Sequence, residues 1–145
     1  MENNQIKLPP EIIEELIGKA LSMRERSYCP YSGFSVGAAL LTGEGKIYGG
    51  CNIENASYSV TLCAERTAIA KAVSEGERNF TAIAIAGGKD TVPDGYSFPC
   101  GTCRQYMREF CGNSFIVIVA RSAQDYKIFT LRDLLPNSFG PENLA

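Results

Sequence analysis

The stretch TLCAERTA, residues 61–68, decides how the rest of the sequence is interpreted, because it places the thiol of Cys63 two residues before the carboxylate of Glu65. Thr61 is a good N-cap, so the pair is predicted to lie in the first turn of a helix. Two such residues are either a chance pair on a helix surface or a metal ligand with a proton carrier beside it. The second interpretation requires further ligands elsewhere in the chain.

The composition is that of an ordinary globular protein, and we expect one domain over residues 1–145. Of the 145 residues, 45% are hydrophobic and 21% are charged, which is unlike a disordered chain. The net charge of −2, without runs of like charge, indicates no binding of a nucleic-acid polymer or an anionic membrane. No apolar run approaches the ~18 residues of a membrane span. Residues 1–13 lack the pattern of a secretion signal, so we expect a cytoplasmic protein.

Hydrophobic periodicity and turn residues predict helices and strands along the whole chain. Near the start of the chain, apolar residues recur at helical spacing: Ile12, Ile13, Leu16, Ile17, Ala20 and Leu21. The tight turn GEGK at 43–46 joins two strands into a β-hairpin. The predicted helices cover about residues 10–26, 61–76, 101–111 and 131–136, and the predicted strands cover 34–42, 46–53, 80–88, 114–120 and 126–130. This order predicts an α/β fold, a single mixed β-sheet covered by helices on both faces.

Six cysteines and no histidine restrict the chemistry that is open to the chain. Stable disulfides are rare in a reducing compartment, so the thiols need another interpretation. Without histidine there is no Ser-His-Asp triad, no Cys-His pair and no imidazole ligand, and any zinc must be held mainly by thiolates. Cys100 and Cys103 alone have the close spacing of paired ligands.

Three thiols are predicted to meet where two helices begin. Cys100 and Cys103, in PCGTC, start the third helix, as Cys63 starts the second. The positive end of a helix dipole favours the thiolate that binds metal. Three thiolates leave one position of a tetrahedral zinc open, as in catalytic sites, where zinc acidifies a bound water. We expect Glu65 to lie beside that water as the proton carrier.

Other interpretations of the cysteines stay open at this point. A lone C-x-x-C also occurs in redox pairs, although the preceding proline and the lack of a Trp-Cys context argue against one. A structural zinc would take a fourth thiolate from Cys51 or Cys111. Cys111 lies more than two helical turns beyond Cys103, which favours core packing, and Cys51 is interpreted in the same way. Cys29 has no assigned role.

The combination of C-A-E at 63–65 with P-C-x-x-C at 99–103 resembles the zinc-dependent cytidine deaminases. The resemblance covers about residues 10–140 and is strongest to the small homotetrameric branch, whose first zinc ligand is cysteine rather than histidine. It includes three further segments: PYSGFSVGAALL at 30–41, GCNIENASYS at 50–59 and LLPNSFGPENL at 134–144. It implies the three-layer cytidine deaminase-like fold, a Zn²⁺ cofactor, a small nucleoside substrate and a homotetramer.

The resemblance also implies roles for residues around the metal. Cys63, Cys100 and Cys103 match the zinc ligands of the family, and Glu65 matches its proton shuttle. Arg66 matches a residue that donates hydrogen bonds to the zinc thiolates. Without the resemblance, Arg66 would be interpreted as an exposed helix residue.

A second set of residues matches the family's substrate contacts. Asn52 and Glu54 match the pair that binds the ribose hydroxyls, and their alternation on the second strand lets them point into one pocket. Phe34 matches an aromatic ring that packs against the pyrimidine. The backbone amide of Ala64 matches a group that reads the base edge, and Phe139 matches a ring contributed across a subunit interface.

The activity that the resemblance implies is hydrolytic deamination of cytidine and 2′-deoxycytidine to uridine and 2′-deoxyuridine with release of ammonia, as in pyrimidine salvage. Two alternatives stay open: a deaminase of a cytosine-containing nucleoside antibiotic, and a non-catalytic zinc-stabilised binding module. NIEN at 52–55 favours a plain ribose over the first alternative. Glu65 argues against the second, because a structural zinc needs no acid beside it.

Overall fold

A computed structural model of the protein describes residues 8–145. Residues 1–7, which belong to the segment from which a cytoplasmic protein is expected, lie outside the described residues. The helices are α1 (Pro10–Met23), α2 (Ala64–Ser74), α3 (Gly101–Phe110) and α4 (Leu131–Leu134), and the strands are β1 (Ser35–Thr42), β2 (Ile47–Cys51), β3 (Phe80–Gly88), β4 (Ile116–Ser122) and β5 (Asp125–Thr130). Within the described range, no helix combines the length and the hydropathy needed to span a bilayer. The single domain over residues 1–145 stays a prediction.

The five strands form one mixed sheet in the order β2-β1-β3-β4-β5. The central pair β3 and β4 is parallel, and the other three pairs are antiparallel. Parallel neighbours need a crossover connection, and the chain between β3 and β4 contains α3. The α/β prediction of a single mixed sheet is therefore confirmed.

The side chains of β3 alternate between two cores, which explains why this strand is mostly apolar. Ala82 and Ala84 pack with α1 on one face of the sheet. Ile83 and Ile85 pack with α2 and α3 on the other face. Helices therefore cover both faces, as predicted, and the three-layer arrangement is confirmed.

Glycines let the helices approach the sheet closely at two places. A Cβ added at Gly37 of β1 would lie 1.9 Å from the carbonyl oxygen of Ala20, at the end of α1. A Cβ added at Gly50 of β2 would lie 2.5 Å from the backbone nitrogen of Ala68 and 2.6 Å from the carbonyl oxygen of Ala64. The contact at Gly50 fixes the first turn of α2 against the sheet.

Several predicted boundaries differ from the structure. The α-helix that was predicted to reach residue 26 ends at Met23 and continues as the 3-10 helix Arg24–Arg26. Thr61 is not the N-cap of α2, which is Cys63. The reason is a pair of backbone hydrogen bonds of 2.9 Å between Leu62 and Ile53, which keeps the chain extended before the helix.

Candidate active site

Two of the predicted metal ligands occupy N-cap positions of helices. Cys63 is the N-cap of α2 and Cys100 is the N-cap of α3, each with an extended backbone conformation. Neither side chain makes the capping hydrogen bond that Ser, Thr, Asp or Asn would make there. Cys103 lies in the first turn of α3 and is buried. The structure brings these three thiols together, at the positive ends of two helix dipoles.

The three sulfurs have the spacing of zinc ligands. Cys63 Sγ lies 3.9 Å from Cys100 Sγ, which lies 3.5 Å from Cys103 Sγ. All three sulfurs lie within 4.8 Å of one another. A tetrahedral zinc with Zn–S bonds of about 2.3 Å holds its sulfurs about 3.8 Å apart. The thiol cluster therefore fits zinc without rearrangement of its backbone.

Glu65 is the second residue of α2 and is 3% exposed. Burial raises the pKa of its carboxyl to about 7, because the charged form loses its hydration. A carboxyl group with such a pKa is suited to proton transfer near neutral pH.

The thiols share protons unequally. Hydrogen bonding from Cys103, together with that from Arg66 and Cys100, lowers the pKa of Cys63 to about 5. The pKa of Cys103 is raised, because this thiol donates to the Cys63 thiolate and is itself buried. Of these two thiols, Cys63 is therefore the one with the lower pKa.

Arg66 extends back from α2 to the same cluster. Its Nη2 donates to the backbone carbonyl of Thr61 at 3.0 Å and lies 3.6 Å from Cys63 Sγ. Its Nε is buried and has no hydrogen-bond partner among the described residues. The guanidinium supplies positive charge beside the Cys63 thiolate.

A pocket of about 490 Å³ opens beside the thiol cluster, within the size range of small-molecule sites. Seven of the predicted site residues line it: Phe34, Asn52, Glu54, Cys63, Ala64, Glu65 and Cys100. The predicted proton carrier Glu65, two of the thiols and four of the five predicted substrate contacts therefore share one cavity.

Asn52 and Glu54 border the pocket, but they lie just beyond β2 rather than within it. The Asn52 amide is 8% exposed, and it accepts from Val36 N at 2.9 Å and donates to Phe34 O at 2.8 Å. Glu54 Oε1 accepts from the backbone amides of Tyr31 and Ser32, at 2.9 and 3.1 Å. Each residue thus orders backbone at the pocket rim, a role that the sequence did not indicate.

Phe139 is 57% exposed and does not line the pocket of its own chain. The Gln105 side chain donates to its carbonyl at 2.9 Å.

The remaining cysteines are separate from the thiol cluster, in the part of the chain that the structure describes. Cys111 caps α3 at its C-terminal end and is buried in the apolar core, where burial raises its pKa to about 12. Cys51 is buried at the end of β2 and donates to the carbonyl of Arg26. Both positions agree with the packing interpretation. Cys29 is half-buried.

The loop between β3 and α3 contributes pocket residues that the sequence did not indicate. Tyr96, Ser97 and Phe98 line the cavity. The aromatic ring of Phe98 packs edge-on against Phe129 of β5, with ring centroids 5.4 Å apart. The available signal was the aromatic segment YSF directly before the P-C-x-x-C motif.

Comparison with known proteins identifies relatives that match most of the chain. The family described as "Cytidine and deoxycytidylate deaminase zinc-binding region" matches residues 10–119. A cytidine deaminase of Sporosarcina psychrophila is 49% identical over 92% of this chain and 95% of its own length. One from Halalkalibacterium halodurans is 48% identical over 89% of this chain and 95% of its own length. The crystal structure of cytidine deaminase from Burkholderia pseudomallei superposes with a TM-score of 0.79 at 44% identity, covering 86% of this chain and 97% of that one.

Proposed function

Since the chain belongs to the zinc-binding family of cytidine and deoxycytidylate deaminases, we propose that it hydrolytically deaminates cytidine and 2′-deoxycytidine. The reaction consumes one water and releases ammonia with uridine or 2′-deoxyuridine. The observation that carries the proposal is the buried Glu65 carboxyl, which shares a pocket with Cys63 and Cys100 of the thiol cluster.

The metal centre is assigned to Cys63, Cys100 and Cys103, because their sulfur separations suit a tetrahedral thiolate site. When bound, zinc supplies an acidified water as the nucleophile and stabilises the charge that develops during attack. Arg66 acts on the ligands, since its hydrogen bond to Cys63 Sγ favours the thiolate form.

Glu65 is assigned the proton transfers. Its carboxyl group protonates the ring nitrogen beside the amine-bearing carbon, which makes that carbon electrophilic. The resulting carboxylate accepts a proton from the attacking water and passes it to the amine, which leaves as ammonia. As the amine leaves, the hydroxyl added to the ring carbon becomes the carbonyl oxygen and returns its proton to Glu65, which restores the carboxyl group. A pKa of about 7 allows the group to give and take a proton at neutral pH.

The substrate contacts are assigned to other residues that line the same pocket. Phe34 packs against the pyrimidine, and the Ala64 amide reads the base edge with Glu65. Asn52 Nδ2 has a second hydrogen beyond the one it gives to Phe34 O, and a carboxylate accepts at both oxygens, so Asn52 and Glu54 retain capacity for the ribose hydroxyls.

The assembly is assigned as a homotetramer in the cytoplasm that acts in pyrimidine salvage. The exposed ring of Phe139, outside the pocket of its own chain, supports a role in closing a neighbour's pocket.

The test is turnover of a substrate panel by the purified protein, followed by ultraviolet absorbance and by ammonia release. We expect turnover of cytidine and 2′-deoxycytidine, and very poor turnover of free cytosine, because binding energy from the ribose positions the ring for attack. If the protein deaminated only a cytosine-containing antibiotic in this panel, that compound would replace cytidine and 2′-deoxycytidine as the proposed substrate. If the protein bound zinc but turned over none of these compounds, the result would support the alternative of a non-catalytic zinc-stabilised binding module.

A further inference from the structure

Arg24 is a buried cation outside the chemistry described above. It begins the 3-10 helix that follows α1 and is 8% exposed. It forms no salt bridge with any described residue. A buried charge is costly unless hydrogen bonds or an opposite charge compensate it, so the partners of Arg24 indicate why the chain keeps it there.

The Arg24 guanidinium donates to four backbone carbonyls. Its Nε donates to Ser35 O at 3.0 Å and its Nη1 to Thr91 O at 2.9 Å. Its Nη2 donates to Gly88 O at 3.0 Å and to Asp90 O at 2.6 Å. The side chain thus ties the start of β1 to the end of β3 and to the loop that follows.

Both tied segments lead to residues that line the pocket, which form two of its walls. Ser35 follows Phe34, which lines the cavity, and the loop after β3 supplies Ser97 on another wall. The two walls meet over Gly87, where an added Cβ would lie 2.9 Å from Phe34 Cε1 and 2.7 Å from Ser97 Oγ. The backbone that Arg24 holds is therefore the backbone that sets the separation of these walls.

We propose that Arg24 is a positioning residue for nucleoside binding. It fixes the distance between two walls of the pocket, one formed by Phe34 and the other by the β3–α3 loop. The proposal rests on the proposed function of the site. Because Arg24 donates to neither α2 nor the thiol cluster, its effect is on substrate affinity. The groups that perform the chemistry, Glu65 and Cys63, are held by α2 against β2 instead.

The test replaces Arg24 by methionine, which keeps much of the length and removes all five donors. We expect Arg24→Met to raise KM for cytidine by about tenfold, with kcat changed less than about twofold and zinc content unchanged. The affinity for the product uridine, measured by calorimetry, should fall by the same factor. Arg24→Lys keeps the charge with fewer donors in a different geometry, and we expect an intermediate KM.

Two control variants separate this role from general stability. Arg26→Met removes an exposed positive charge from the same 3-10 helix, and Leu16→Ala creates a cavity in the α1 core, on the sheet face opposite α2 and α3. Both should leave KM and uridine affinity unchanged, even where Leu16→Ala lowers the melting temperature as much as Arg24→Met does.

A KM and a uridine affinity in Arg24→Met that match those of the Leu16→Ala variant would overturn the proposal. A fall in kcat with loss of zinc would also overturn it, because Arg24 would then support the metal site. Should Arg24→Met fail to fold, the same comparison applies to Arg24→Lys. Failure of the wild type to deaminate cytidine would contradict the proposed function alone, since the uridine affinities still compare the variants.

Discussion

At the scale of single residues, the N-cap positions of Cys63 and Cys100 explain how two helices prepare a metal site. Both positions usually carry a side chain that bonds to the helix, and neither sulfur does so. The sulfurs are thereby left to face one another and Cys103, in the region of positive potential that stabilises thiolates.

The first prediction concerns these ligands. The purified protein should contain one tightly bound zinc per chain, and the double variant Cys100→Ala, Cys103→Ala should lose it, because one thiolate cannot hold the metal. Elemental analysis measures both. Cys111→Ala serves as the control, since that thiol is buried in the apolar core, and its zinc content should be unchanged. Full zinc retention by the double variant would contradict the assigned ligands.

Arg66 gives a second prediction at this scale. Arg66→Gln removes the charge 3.6 Å from Cys63 Sγ and should weaken zinc affinity by about 10- to 100-fold, the usual effect of losing a residue that supports a ligand. Competition with a chelator measures the affinity. Arg132→Gln removes an equal charge from an exposed position on α4 and should have no effect. Equal zinc affinity in both variants would leave Arg66 without a role at the metal.

At the residue scale, the sequence predicts which side chains could bind a metal better than it predicts the hydrogen bonds that those and neighbouring side chains make. Thiol spacing, the predicted helix starts and the absence of histidine predict that Cys63, Cys100 and Cys103 meet, and the structure brings the three sulfurs together. The role of Asn52 in ordering the backbone of Phe34 and Val36 depends on hydrogen bonds across strands, which no local pattern encodes.

At the scale of elements, the first turn of α2 is held by its contact with β2. Gly50 has no side chain to separate the strand from the backbone of Ala64 and Ala68. The N-terminus of α2 carries both the proposed ligand Cys63 and the proposed proton carrier Glu65, so the glycine determines where these two groups lie relative to the sheet.

A prediction follows for this contact. Gly50→Ala should destabilise the fold by about 1–3 kcal/mol, the usual cost of overpacking, and should lower zinc affinity as α2 moves outward. Gly18→Ala is the control, because Gly18 is exposed on α1 with nothing within 4 Å of an added Cβ, and it should stabilise the helix by about 0.5–1 kcal/mol. Denaturant unfolding measures both. A neutral Gly50→Ala variant would show that α2 is not fixed there.

The sequence predicts which segments are helices and which are strands. The start of α2 shows why it does not predict where each one begins and ends. The apolar run 80–88 and the hairpin turn predict their strands because the signals are local. Thr61 is a favourable N-cap by composition, yet the pairing of Leu62 with Ile53 keeps it outside the helix. That pairing is a tertiary contact, and it overrides a local preference.

At the scale of the whole molecule, α3 connects the metal site to the C-terminal segment. Cys100 and Cys103 lie at its start, while Arg108 near its end donates to Ser138 Oγ at 2.8 Å and pairs with Glu142. The exposed ring of Phe139 lies in the segment that these contacts hold.

We predict that the protein sediments as a homotetramer and that Phe139→Ala lowers kcat/KM for cytidine by about tenfold or more, because the ring closes a neighbour's pocket. Analytical ultracentrifugation and steady-state kinetics measure the two effects. Leu144→Ala removes another exposed apolar side chain from the C-terminal segment and should retain wild-type kinetics. A fully active monomer would overturn the assignment of Phe139.

The central claim is that Glu65 carries the protons of a zinc-dependent deamination, and one measurement tests it most directly: cytidine turnover by wild type and Glu65→Gln at matched zinc content. The amide fills the same space and is neutral, and burial already favours the neutral carboxyl, so the variant should fold and bind zinc. General acid–base transfer contributes about 100- to 10,000-fold, so we expect turnover to fall by at least about 100-fold. A loss of less than about tenfold would contradict the account, because the proton carrier would then lie elsewhere.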